Sequence, residues 1–446
     1  MSRNESKGSV HAMADAKKIA IIGGGAAGLA ASIAAAREVK RTGACADVVV
    51  FERDDRVGRS ILATGNGRCN FSNANPDAAF YHNASFVGAV FEAVEREYAE
   101  GGNVTLSGGF SQNAVLRFFD GLGLLWREES EGRLYPMANK ATSVLSVLRD
   151  AMRALGVQEA PSQRAVRIDV PDRKGGRYHV RFDDGRVEHA DAVIVACGGV
   201  LARGLLPESV PMCDAVPVLG PLATDGPVKS LDSIRVKCVI ELHGADGRVK
   251  ARETGEVLFR KYGVSGIAVF NVSRVAEPKD ELVLDFLPQV PTEDCEAFLV
   301  ARARRLRETF GEDGAHMGQL LCGMLLPQVA DVLLHSAGVD ERDQVSGEHL
   351  RALAYVLKGF RLTVRGIGDA RQCQVHRGGV LVSAVDDKSL QVQGLPGLYV
   401  AGEALDTDAP CGGFNLHWAW ASGLLAGCAA ARSALGASRG GKGSSC

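Results

Sequence analysis

An excess of charge of one sign is nearly absent from this sequence, and that removes a class of function. Lys and Arg number 51 against 53 Asp and Glu, a net charge of −2. No general basic field is available to hold nucleic acid or an anionic membrane surface, so a small molecule is the expected ligand. Paired cysteines are missing as well. The eleven cysteines are scattered, none forms a C-x-x-C pair, and no Cys/His cluster has metal-ligand spacing, so no metal is expected. An odd count in a long chain argues against a disulfide framework and for the reduced thiols of a cytoplasmic protein. Uninterrupted apolar runs are also lacking. A membrane span needs about 20 of them, and the best stretch, residues 17–36, is broken by Gly23-Gly24-Gly25 and Gly28 and runs into the charged block "REVKR". No membrane partner is expected, and nothing in the pattern speaks to oligomeric state.

What is present is a core-sized apolar fraction, 46% over 446 residues, enough for two or three domains. "KIAII" (Lys18–Ile22) reads as a short buried parallel strand and "AAGLAASIAAAREVKR" as an alanine-rich helix. Between them stands Gly23-x-Gly25-x-x-Gly28. The first glycine permits the tight turn, the second lets backbone approach a pyrophosphate, and the third lets helix and strand pack closely. The amides of the helix start would face the phosphates, with the positive end of the helix dipole behind them. A second strand, "ADVVVFE", ends at Glu52, 24 positions after Gly28, where such a unit carries the carboxylate for the adenosine ribose hydroxyls. A carboxylate there favours an unphosphorylated ribose, hence FAD or NAD over NADP.

The fingerprint alone does not separate FAD from NAD. Directly after Glu52 comes "RDDRVGRSILATGNGRCNFSN", a polar, glycine-rich stretch suited to surround a ligand. Near the C-terminus "GLYVAGE" reads as a buried strand ending at Gly402-Glu403, and "CGGFN" leads into a helix that begins near Asn415. A helix start under a flavin pyrimidine stabilises negative charge there.

The motifs "IIGGGAAGLAAS", "GRSILATGNGRCNFSN", "GEVLFRKYGVSGIAVFNVS", "QVHRGGV" and "GLYVAGEALDTDAPCGGFNLHWAWASG" resemble those of the BaiN-type (YhiN-like, aminoacetone oxidase-like) family of bacterial FAD-dependent oxidoreductases. They span most of the chain in the family's order. The resemblance implies an α/β fold: a Rossmann-like, glutathione-reductase-like FAD-binding domain with an inserted β-barrel or sandwich and a helical subdomain. It implies FAD in an extended pose, its pyrophosphate over Gly23, Gly25, Ala26, Ala27 and Gly28 and its ribose on Glu52, with Arg53 and Arg59 nearby. The flavin would lie between the loop Thr64, Gly65, Asn66, Gly67, Arg68, Cys69 and Asn70 and the segment Gly412, Gly413, Phe414 and Asn415. Ala196, Gly198, Gly402, Glu403 and Asp406 would complete the cofactor contacts. The chain departs from the family in a shortened stretch after Gly199, and in His376 and His417, where the family pattern leads one to expect Thr and Gln.

Only one glycine fingerprint occurs, so NAD(P)H, the expected transient electron donor, would have to visit the flavin through the substrate cavity. "YHVRFDDGRVEHADAVIVACGG" reads as a hairpin turning at Asp184-Gly185, followed by a buried strand. The expected organisation is a discontinuous FAD-binding domain over 16–206 and 358–435. An inserted β domain would cover 207–291 and a helical subdomain 292–357, with disordered ends at 1–15 and 436–446.

Flavin would supply the hydride chemistry, leaving the protein to position a substrate and manage one proton. Tyr262, His376 and His417 are the candidate proton donors, each set against a structural hydrogen-bonding role. Cys69 and Cys411 have no resolving cysteine beside them, and Trp418 and Trp420 read first as core. "RARRLR" reads as a solvated helix face. The leading expectation is NAD(P)H-driven reduction of a small acceptor such as an enone; one BaiN-type activity, reduction of 3-oxo-Δ4,6 bile-acid intermediates, fits it. The alternatives are a flavin amine oxidase using O2, an RNA-modifying flavoprotein and a non-catalytic flavin binder.

Overall fold

The computed structural model describes residues 17–98, 113–173, 175–311 and 316–436. The expectations of disorder at 1–15 and over 437–446 lie outside these residues. Two compact units share the chain: one is built from its two ends, up to Val216 and from Arg377 onward, and the other from Pro217–His376.

The first unit is organised by a parallel sheet whose strands are apolar because both faces are covered. The central strand Lys17–Ile22 pairs on one side with Ala46–Phe51 and on the other with Ala192–Val195. Leu398–Val400 joins the far side of Ala192–Val195, and Gln158–Ala160 the far side of Ala46–Phe51. The four strands read from sequence are therefore neighbours in one sheet, although the fourth lies some 200 residues beyond the third. The expected hairpin is present: Tyr178–Phe182 pairs antiparallel with Val187–Ala190, and Gly185 turns with φ +86°.

Two helices cover the sheet beside its switch between early and late strands. The first, Ala26–Thr42, is buried from Ala26 to Ala36, and the last, Phe414–Leu435, along most of its length. Their contact is made by small residues: a Cβ on Gly423 would lie 2.3 Å from the Ala27 carbonyl oxygen. Trp418 and Trp420 are core, as their default reading had it. The Trp418 indole N–H donates to Gly402 O at 3.1 Å and that of Trp420 to Phe71 O at 2.8 Å, so each buried polar atom is paired.

The second unit is a closed six-stranded antiparallel barrel, in the order Leu222–Asp225, Gly263–Ser265, Val249–Arg260, Arg235–His243, Glu281–Asp285 and Phe360–Ile367. Alternation sets the inside: Leu282 and Leu284 are buried between partly exposed neighbours, and Phe360, Leu362 and Val364 alternate with exposed residues. Helices Cys295–Phe310, Met317–Leu321, Pro327–Ser336 and Gly347–Lys358 intervene before the sixth strand. That strand lies in the segment which sequence reading joins to the nucleotide domain. It closes the barrel because closure leaves no unpaired strand edge, a long-range requirement that no local pattern announces.

Among the described residues no helix is long and apolar enough to cross a membrane. Among the same residues, no group of three or more His, Cys, Asp or Glu side chains is arranged to hold a metal ion. None of the ten cysteines described takes part in a disulfide.

Candidate functional site

The turn after the first strand is shaped by steric need. Gly23 has φ +108°, and a Cβ there would stand 2.6 Å from Ala196 O; a Cβ on Gly28 would stand 1.9 Å from Gly23 O. Gly25 caps the first helix in an extended conformation (φ −82°, ψ −167°). The cap residue offers no side chain to bond the helix start and the first turn holds no acidic residue, so the amides of that turn have no anion of their own helix to neutralise them. A Cβ at Gly25 would meet nothing nearer than Ser60 Oγ at 3.3 Å. This is a cradle that a diphosphate fits.

Glu52 stands at the end of the second strand. Its Oε2 accepts from the Gly24 N–H at 2.7 Å and its Oε1 from the Asp54 N–H at 2.9 Å. The carboxylate is thus tied to the glycine loop. Arg53 and Arg59 are exposed, in loose pairs with Asp54 at 3.8 and 3.9 Å.

The other wall comes from residues 64–70 and 402–415. Gly65, Asn66, Gly67 and Cys69 all have positive φ, between 55° and 81°, so the chain coils tightly enough to present backbone. The Thr64 hydroxyl is taken by Ile61 O at 2.7 Å. Arg68 lies over the Tyr135 ring at 4.0 Å and bonds Asn139 and Glu129, which makes it a brace for the loop. Cys69 is fully buried, and desolvation pushes its thiol up to about 11; it is a packing thiol, not a reactive one.

Across from this loop, Gly413 caps the last helix with φ +94°. A Cβ on Gly413 would come 2.2 Å from Ser72 O and 2.9 Å from Asn70 Oδ1. Asn73 Nδ2 donates to Gly412 O at 2.9 Å. The Asn415 side chain accepts from Ala409 N (2.9 Å) and donates to Ala409 O (2.8 Å), stapling the approach to the helix. Tyr81 OH donates to Phe414 O at 2.7 Å. Asn70 Oδ1 is buried without a hydrogen-bond partner among the described residues, an acceptor beside an open helix start that awaits a donor. Gly402, with φ +67°, closes the strand end: a Cβ there would meet the Ala27 methyl at 2.8 Å. Gly198 caps the short helix Gly199–Leu205 with φ +81°. Ala196 is buried, whereas Glu403 is partly exposed.

The three candidate proton donors separate. His417 is buried, its Nδ1 2.9 Å from Ser72 Oγ and its ring edge-on to Phe91. Burial lowers its pKa to about 3, so the imidazole is neutral at ordinary pH. Its geometry is that of a structural histidine. Tyr262 belongs to the barrel unit, in the turn between Val249–Arg260 and Gly263–Ser265, where its carbonyl accepts from Thr224 N at 3.0 Å. Its hydroxyl is buried near Gln372, and desolvation raises its pKa. His376 closes that unit's sequence and is partly exposed.

Sequence reasoning passed over other groups. Arg377 bonds both oxygens of Asp408, at 2.5 and 3.0 Å, and the Asp408 carboxylate is fully buried. His82 Nε2 faces Asp406 Oδ2 at 3.4 Å. Arg377 lies inside the motif "QVHRGGV"; His82 lies in a stretch with no periodic signal, and its partner is more than 300 residues away.

A parallel sheet, a glycine-cradled helix start and a carboxylate ending the next strand define a Rossmann-class nucleotide-binding protein. The chain belongs to the HI0933-like family, the BaiN-type FAD-dependent oxidoreductases: residues 17–429 match the model for the HI0933-like protein Rossmann domain. It is 32% identical over 440 residues to a 3-dehydro-bile acid delta(4,6)-reductase of Clostridium scindens, covering 93% of this chain and 99% of that protein. It is 26% identical over 423 residues to a ribosomal RNA dihydrouridine synthase of Escherichia coli, covering 90% and 95%. Among solved structures, it aligns with a 3-ketosteroid-Δ4-(5α)-dehydrogenase of Rhodococcus jostii RHA1 over 95% of this chain and 99% of that one (TM-score 0.40, 14% identity). It also aligns with an open flavocytochrome c3 fumarate reductase over 94% and 79% (TM-score 0.43, 16% identity). The protein is an FAD-dependent oxidoreductase with an FAD-binding fold.

Proposed function

We propose that this enzyme uses NAD(P)H to reduce a carbon–carbon double bond conjugated to a carbonyl in a small organic acceptor, such as a 3-oxo-Δ4 steroid. The observation that carries this reading is the near full-length similarity to a protein named as a delta(4,6)-reductase of 3-dehydro bile acids. In such a molecule the ketone draws electron density from the double bond, so hydride adds at the β-carbon and a proton at the α-carbon.

Bound FAD supplies the two-electron hydride carrier. The chain's residues hold and orient it. The helix-start amides behind Gly23, Gly25, Ala26, Ala27 and Gly28 bind the diphosphate, and Glu52, anchored through Gly24, takes the adenosine ribose. Thr64–Asn70 and Gly412–Asn415 would flank the ring system. The amides at the start of the last helix would stabilise negative charge on a bound ring, and the unpaired Asn70 oxygen would offer an acceptor to an N–H of the cofactor. The substrate is a small molecule, in keeping with the near-zero net charge.

A second reading draws on the two ribosomal RNA dihydrouridine synthases, 26% and 23% identical. The uracil 5,6 bond is itself conjugated to the 4-carbonyl, so the chemistry is the same and only the carrier of the acceptor differs. Purified yellow protein is to be assayed for NADH and NADPH oxidation with 3-oxo-Δ4 steroids, cyclohexenone and unmodified ribosomal RNA. Turnover on a free enone supports the leading reading. Turnover confined to RNA moves the assignment to the second, and oxidation of NAD(P)H by O2 alone, unaffected by any acceptor, refutes both.

A further inference from the structure

Reduction of a conjugated double bond consumes one proton for each hydride, and His417 is too deeply buried and too firmly neutral to provide it. Another imidazole in the same unit is set differently. His82 follows the turn Ala78–Phe80, and its backbone N–H donates to Asp408 O at 2.8 Å. Its ring is 39% exposed, yet Nε2 faces Asp406 Oδ2 at 3.4 Å, and that carboxylate is only 13% exposed.

Asp406 is held from several sides. Its N–H donates to Val380 O at 2.9 Å, its carbonyl accepts from Asn83 Nδ2 at 2.7 Å, and the same Nδ2 lies 3.5 Å from its Oδ2. The nearby charge of Asp408 is already taken by Arg377, which leaves Asp406 as the carboxylate facing the ring. The residues just before His82 reach the start of the last helix. Tyr81, next to His82, bonds Phe414 O, and the Phe80 ring lies 5.0 Å from that of Phe414, the first residue of the last helix.

We infer that His82, oriented by Asp406, is the acid that protonates the acceptor; the inference rests on the reduction proposed above. Hydride from flavin reduced by NAD(P)H forms the C–H bond at the β-carbon, and the electron pair of the double bond moves toward the α-carbon and carbonyl. His82 gives that α-carbon its proton, is left neutral, and regains a proton from water through its exposed edge. The buried carboxylate keeps one ring nitrogen directed inward and the other toward the acceptor.

The test uses FAD-loaded protein and separated half-reactions. In His82→Gln, reduction of the flavin by NADH or NADPH continues, while reoxidation by a 3-oxo-Δ4 steroid slows by about 10²- to 10⁴-fold. The solvent isotope effect on reoxidation in the unsubstituted enzyme is lost. Reoxidation within threefold of the unsubstituted enzyme overturns the assignment. Should His82→Gln fail to fold, Asp406→Asn carries the same test with the imidazole in place, slowing reoxidation about tenfold. An unsubstituted enzyme that no enone reoxidises refutes the functional reading instead. Nitrogen-15 NMR of the His82 ring then judges the dyad by itself. A single tautomer with the Nε2 proton toward Asp406, lost in Asp406→Asn, supports it, and a ring indifferent to that substitution overturns it.

Discussion

Gly427 of the last helix meets Ala31 of the first so closely that a Cβ on the glycine would stand 2.3 Å from the Ala31 carbonyl oxygen. Gly423 meets Ala27 one turn earlier in the same way. The first helix begins at the glycine fingerprint and the last begins at Gly412-Gly413, so this seam holds the two halves of the cradle in register.

A side chain at the seam must push the helices apart. Gly427→Leu is expected to destabilise the protein by about 3 kcal/mol and to weaken FAD binding with it. Gly204→Ala is the control: that glycine is helical, and a Cβ there would have nothing within 4 Å, so the change is neutral or stabilising by up to about 1 kcal/mol. Urea unfolding of the two variants measures both.

Stability and cofactor binding separate at Gly25. Its extended backbone suits any residue, and Asp is as good a helix cap as glycine or better by a few tenths of a kcal/mol. The added carboxylate would occupy the place of a phosphate. Gly25→Asp is therefore expected to fold with an apoprotein Tm no lower than the parent's and to lose at least tenfold in FAD affinity. Adding FAD should raise the parent's Tm and leave that of the variant where it was.

Arg377, partly exposed, makes a two-pronged pair with the fully buried Asp408 carboxylate. Removing one partner strands the other charge, at a cost of about 3–5 kcal/mol. Arg377→Met should show that loss in denaturant unfolding, and Arg377→Met with Asp408→Leu should recover part of it. A single variant within about 1 kcal/mol of the parent would contradict a mutually dependent pair.

His417 predicts a pH dependence. Its folded-state pKa is lowered to about 3 from an ordinary 6.5, so below 6.5 the unfolded chain takes up a proton that the folded protein refuses. Stability therefore falls as pH drops from 6.5 toward 3. His417→Gln, the residue the family pattern leads one to expect, removes this component. Unfolding at pH 7 and pH 4.5 should show a smaller difference for the variant than for the parent.

Glu52, the glycine turn and the four parallel strands were legible because each is a local matter. Turn geometry, strand length and the spacing from strand to carboxylate all lie within some thirty residues. The Thr64–Asn70 loop and the Gly412–Asn415 segment were legible from their motifs, but not what their side chains do there. That Arg68 is a brace, Asn415 a staple and Cys69 an inert core thiol follows from packing and pairing that no motif spells out. His82 was invisible because its carboxylate partner is far off in the chain.

Sequence by itself determined the dinucleotide-binding unit and the family, since continuous apolar runs, obligatory glycines and motifs are all written into neighbouring residues. The tertiary structure decided how the barrel closes, which histidine is sealed in the core and which one faces a carboxylate. These depend on what packs around each side chain, and burial and charge pairing are set by segments hundreds of residues apart.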